Sequence, residues 1–72
     1  MRRAPAEGKW QGTVTVLHAT EKALKVDYEG EEIWIPYSQV DDDSEIYKKE
    51  QVGETGELVI SEWLAKEKGL IT

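Results

Sequence analysis

Residues 23–36 read Ala23-Leu24-Lys25-Val26-Asp27-Tyr28-Glu29-Gly30-Glu31-Glu32-Ile33-Trp34-Ile35-Pro36, two alternating runs that meet at one turn. Leu24, Val26 and Tyr28 alternate with Lys25 and Asp27, and Ile33 and Ile35 alternate with Glu32 and Trp34. A period of two places each set on one face of a strand. Glu29-Gly30, between the runs, is a two-residue hairpin signal of the Asn-Gly kind. With that loop, Tyr28 faces Glu31, Val26 faces Ile33 and Leu24 faces Ile35 on one side. Lys25 faces Trp34 and Asp27 faces Glu32 on the other. A bulged turn at Gly30 would slip this register by one residue. Pro36 has no amide hydrogen, so it ends the ladder or marks an edge strand.

Upstream, Lys9–His18 also alternates. Trp10, Gly12, Val14, Val16 and His18 share one parity, and Gln11, Thr13, Thr15 and Leu17 the other. The run predicts a strand with Val14 and Val16 inward, and Gly12 at a bulge or a close backbone approach. Downstream, Asp41-Asp42-Asp43 reads as an exposed loop and Ser44–Gln51 as a short strand with Ile46 buried. Gly53-Glu54-Thr55-Gly56 reads as a turn and Glu57–Ile60 as a last strand. Ser61–Lys68 carries helix signals at both ends. Ser61 can cap the first turn and Glu62 suits its positive end, while Lys66 and Lys68 suit the other end and Gly69 a left-handed stop. A helix this short needs tertiary docking, for which Trp63, Leu64 and Leu70 are the candidates. The expected fold is mostly β (α+β): a small curled antiparallel sheet, or an SH3/OB-like barrel, of four or five strands with one short C-terminal helix.

Seventy-two residues allow one domain, expected over residues 9–72 with residues 1–8 as a basic arm. At this size folding buries only about 60% of the surface the unfolded chain exposes, so each large apolar side chain counts. No cysteine is present, which excludes disulfides and thiolate metal sites. No segment reaches the ~20 apolar residues of a membrane span. The Met1-Arg2-Arg3 start is followed by Glu7-Gly8-Lys9 rather than an apolar stretch, which argues against a secretory or twin-arginine leader and for a cytoplasmic protein. The net charge is −6 and unevenly spread. Residues 1–25 carry Arg2, Arg3, Lys9, Lys22 and Lys25 against two acids, whereas residues 26–72 carry four lysines against thirteen acids.

Catalytic chemistry finds little to work with. His18 is the sole histidine, and Ser38, Ser44 and Ser61 sit on no nucleophile-elbow pattern. The run from Asp41 to Glu45 begins like a calcium loop, but Ile46 occupies the position that needs glycine and Val52 the position that needs glutamate. Gly53 and Gly56 lack the lysine of a phosphate loop. The reading is therefore no enzyme, no metal and no cofactor.

The aromatic set is Trp10, Tyr28, Trp34, Tyr37, Tyr47 and Trp63, with no phenylalanine. Each ring carries a polar group suited to a boundary between core and water. Trp63 is expected in the core. Ile33 and Ile35 claim the inner face, so Trp34 points outward beside Lys25, either as a contact site or under a second small cluster.

The strings KALKVDYEGEEIWIPYSQVDDDSEIY (22–47) and GELVISEWLAKEKGL (56–70) carry a G-E-E-x-W-I-P-x-S-Q motif and an E-W-L-A-x-x-K-G-L motif. In these the chain resembles a group of small phage and prophage proteins, over roughly residues 22–71. The resemblance implies genes carried near phage replication and recombination functions, and no activity.

Two readings of function follow. In the first, the protein is a phage or mobile-element accessory or inhibitor that binds a protein partner with a basic surface. Trp34 and Tyr37 anchor that contact, with Lys25 beside Trp34, and Glu29, Glu31, Glu32, Asp41, Asp42, Asp43 and Glu45 supply charge. In the second, it binds single-stranded nucleic acid, with Trp10, Trp34 and Tyr28 or Tyr37 stacking bases and Arg2, Arg3, Lys9, Lys22 and Lys25 tracking phosphates. Glu32 and Asp27, expected on the Trp34 face, tilt the balance to the first.

Overall fold

The computed structural model describes residues 8–70. Its hairpin joins β2 (Ala23–Tyr28) to β3 (Glu31–Pro36) in the register the alternation predicts, with Leu24 opposite Ile35, Val26 opposite Ile33 and Tyr28 opposite Glu31. Both loop residues have positive φ, Glu29 at 51° and Gly30 at 90°. That is the backbone a two-residue turn needs to match the twist of its strands, and the reason glycine follows the acid there. No bulge slips the pairing.

β1 (Lys9–Ala19) is the central strand. It pairs antiparallel with β2 on one side and with β4 (Thr55–Ser61) on the other, giving the order β3-β2-β1-β4. The sheet is open and does not close into a barrel, because β3 and β4 lie at opposite ends of that order. A bulge interrupts β1: Val16 pairs with Val26, but His18 pairs with Lys25, so Leu17 is an extra residue. Gly12 is instead a close approach. A Cβ there would lie 2.5 Å from the Trp10 ring and 3.0 Å from the Tyr28 ring.

The inner face of the sheet presents Val14, Val16, Leu24, Val26, Ile33, Ile35, Leu58 and Ile60, all buried. Ile46, Leu64 and Ala65 complete this cluster, with Trp10, Tyr28, Tyr37, Val40 and Leu70 packed at its margin. Burying a valine, leucine or isoleucine contributes roughly 1.5–3 kcal/mol, and the ten in this cluster carry a domain this small.

The helix α1 (Glu62–Glu67) starts as the sequence predicts. The Ser61 hydroxyl accepts the Leu64 amide at 3.1 Å, and the Gly8 carbonyl accepts the Glu62 amide at 2.7 Å. It stops with Gly69 N–H on Lys66 O at 3.2 Å and Leu70 N–H on Ala65 O at 2.9 Å, a paired closure that folds Leu70 back onto the core. Trp63, however, is 64% exposed and is not the core residue expected. The buried stripe is centred between Leu64 and Ala65, and at 100° per residue Trp63 sits about 150° away.

Two further expectations change. Ser44–Gln51 forms no strand, although Ile46 is buried as expected. The buried Gln51 side chain takes the place of a neighbouring strand. Its Oε1 accepts the Tyr47 and Lys48 amides at 2.7 and 2.9 Å, and its Nε2 donates to Glu45 O at 2.7 Å. A short 3-10 turn, Lys49–Gln51, follows. Gly56, expected in a turn, lies inside β4 opposite Val14, where Ile46 and Glu45 crowd it.

Candidate functional site

The sequence-predicted contact residues separate into two clusters. The first lies on the outer face, where His18, Lys25 and Trp34 form one row across β1, β2 and β3. Trp34 is 40% exposed, pointing outward as the alternation requires. The His18 ring meets it edge-on, centroids 6.0 Å apart. Lys25 Nζ lies 2.9 Å from Glu32 Oε1, and Asp27 is opposite Glu32. His18 and Leu17 both reach the exposed surface because the bulge breaks the parity that would have aimed His18 inward. Farther along this face Thr13 Oγ1 donates to Glu57 Oε2 at 2.8 Å, and the Thr15 and Thr55 hydroxyls lie 2.8 Å apart. The aromatic row is thus bordered by a polar ladder.

The second cluster surrounds a pocket of about 440 Å³ lined by Tyr37, Val40, Asp41, Asp42, Ser44 and Tyr47. Tyr37 opens a 3-10 turn, Tyr37–Gln39, directly after Pro36, and its hydroxyl donates to Thr20 O at 2.7 Å. Burial, and after it the negative charge of Glu50, raise the Tyr37 pKa, so the phenol keeps its proton. Asp41 accepts hydrogen bonds from Lys9 Nζ and, at 3.0 Å, from the Asp43 amide. These hold its carboxyl below the ordinary aspartate range, the Lys9 bond most of all. Ser44 is buried: its hydroxyl donates to Val59 O at 3.0 Å and accepts the Val59 amide at 2.7 Å. That double bond ties the acidic loop to β4. Asp42 and Asp43 are exposed, as is Tyr47, whose ring has Lys48 Nζ 5.5 Å from its centroid.

The alternative nucleic-acid set scatters. Arg2 and Arg3, with the rest of the expected arm before Gly8, lie outside the described residues. Lys9 is engaged by Asp41. Trp10 packs edge-on against Tyr28, 5.0 Å between centroids, at the margin of the core. Lys22 is exposed in the turn before β2.

Val40, Ser44 and Tyr47 were not singled out for the pocket by sequence, and neither was the partnership of His18 with Trp34. The first three come together only through bonds between the loop and β4, and the second through the bulge, neither of which leaves a periodic signal. Among the described residues no group of three or more His, Cys, Asp or Glu could hold a metal ion, and no helix is long and apolar enough to cross a membrane. Comparison with known proteins finds no matching family model, no similar curated protein and no similar solved structure.

Proposed function

We propose that the protein is a non-catalytic cytoplasmic binding module, an accessory or inhibitor of the phage or mobile-element kind, that takes a protein partner by a basic surface. The observation that carries this reading is the pocket between Tyr37 and Tyr47, with Asp41 and Asp42 in its wall. Two phenol rings and the exposed Asp42 carboxylate around one opening, with Asp41 already bonded to Lys9 behind it, suit the side chain of an arginine or lysine. Carboxylates give a guanidinium charge-assisted hydrogen bonds, and the faces of tyrosine rings attract a cation. The position of Lys48 over Tyr47 is an internal instance of the same attraction. On the Trp34 face the acids Asp27 and Glu32 outnumber the one lysine, Lys25, that stands opposite the ring. The nucleic-acid reading draws less support, since Lys9 and Lys25 are engaged by Asp41 and Glu32 and Trp10 is packed against Tyr28.

The test is an NMR titration with an acetylated octa-arginine peptide at about 50 and then 200 mM salt. Shifts should centre on residues 37–47, weaken with salt and shrink in Asp42→Asn and Tyr47→Ala. No shift in that segment at the lower salt refutes the reading. Saturable quenching of tryptophan fluorescence by mixed-sequence single-stranded DNA would put nucleic acid in its place.

A further inference from the structure

The two lateral edges of the sheet differ. The outer side of β4 is covered: Val40 bridges to Ile60, the Asp41 amide donates to Val59 O at 2.8 Å, and the Glu45 amide donates to Glu57 O at 2.8 Å. β3 has β2 on one side and no further strand among the described residues on the other. Its register says which groups face outward. A two-residue turn makes Tyr28 and Glu31 a hydrogen-bonded pair, and such pairs alternate along an antiparallel ladder. Val26 with Ile33 and Leu24 with Ile35 therefore exchange bonds across the hairpin, whereas the amides and carbonyls of Glu32 and Trp34 point away from it. Pro36 falls in the same outward set, where its missing N–H costs no bond to β2.

Charges and proline are common guards of an open edge, and Glu31, Glu32 and Pro36 fit that role. Trp34 does not: a guard at the middle of the edge would be charged, and this residue is a large ring, 40% exposed. The turn end of the edge adds Glu29 to Glu31 and Glu32, all exposed. Lys25 neutralises Glu32, and Glu29 and Glu31 leave this end of the edge net negative, so it repels an acidic strand and attracts a basic one.

We propose that the open edge of β3 takes an extended, basic segment of the protein partner as an added strand. The main chain of that segment pairs with Glu32 and Trp34, its cationic side chains lie on the Glu31 face and beside Glu29 at the turn, and one apolar side chain, on the opposite face, covers the Trp34 ring. This rests on the reading that the partner is a basic protein, but it uses a different surface from the pocket. Strand addition gives affinity through main-chain bonds and selectivity through alternate side chains.

The probe is a ten-residue acetylated peptide alternating lysine with valine and threonine, added to the full chain while amide hydrogen exchange is followed by NMR. The Glu32 and Trp34 amides should exchange rapidly in the free protein and at least tenfold more slowly with peptide. Ile33 and Ile35, already bonded to β2, should be slow throughout. Of the two frames of alternate N-methylation of the peptide, one should abolish the slowing and the other preserve it. Replacing lysine by glutamate in the peptide should abolish binding. The proposal is overturned if both methylated frames bind equally, because the contact is then made by side chains alone. It is also overturned if Glu32 and Trp34 slow with rising protein concentration and no peptide, which would make a second copy the occupant. Shifts confined to residues 37–47 would overturn the edge proposal and leave the pocket reading standing. No response to either this peptide or octa-arginine would remove both.

Discussion

Trp63 and Leu64 are neighbours with opposite fates, and the difference shows how a six-residue helix is held. Leu64 and Ala65 face the core; Trp63 faces solvent. Trp63→Ala should therefore change stability by no more than ~0.5 kcal/mol, the range of surface substitutions. Leu64→Ala should cost about 2–5 kcal/mol, as for other buried leucines. Thermal unfolding of the two variants checks the pair, and a large loss from Trp63→Ala would mean the ring is covered. An exposed tryptophan beside the helix start is a second aromatic surface, distinct from Trp34. Gln51 makes a different point at the same scale. One buried amide serves two N–H groups and one carbonyl, so a single side chain decides that residues 45–51 need no strand partner.

Among the elements, the β2–β3 hairpin was legible in full, because its period of two and its turn are both local signals. One residue of the turn is not ideal for it. Glu29 holds φ at 51°, a region that costs an ordinary L-residue roughly 1–2 kcal/mol and asparagine less. Glu29→Asn should raise stability by about 0.5–1 kcal/mol, read as a higher urea midpoint with unchanged slope. A fall in the midpoint would mean the carboxylate makes a contact that matters more than the backbone. The helix was legible by its caps, Ser61 and Gly69, but its buried face was not. Apolar residues occupy three consecutive positions, 63–65, and only the docking geometry chooses among them. The bulge at Leu17 left no mark either, since alternation can be read across it without a break. The site follows the same division. Trp34 pointing outward beside Lys25 was a consequence of local alternation. The pocket depends on Ser44 and Asp41 reaching Val59, contacts far apart in sequence, and so only Tyr37, Asp41 and Asp42 of its lining were anticipated.

At the scale of the whole molecule, the Lys9–Asp41 pair joins the first strand to the acidic loop across thirty-two residues of chain. The Asp41 carboxyl titrates below its ordinary value in the folded protein. Its contribution is thus complete above the unfolded value of ~3.9 and fades as pH falls through the lower folded value. Lys9→Met should lower the neutral plateau of the melting temperature slightly, since an exposed pair adds little, and flatten the acid limb below about pH 4 by the same amount, so that variant and parent converge once Asp41 is protonated. Parallel acid limbs for the variant and the parent would show that the pair does not couple to folding.

The uneven treatment of the two sheet edges also bears on self-association. Fibres grow by strand pairing because every added subunit offers a fresh edge to the next. Here the covered flank of β4 offers none, since residues 40–46 already occupy its bonding groups. Two molecules meeting through β3 would each present that closed flank outward. Pairing of this kind terminates at two subunits, so even if the protein were highly concentrated, the folded state would lack the second reactive end that polymerisation demands.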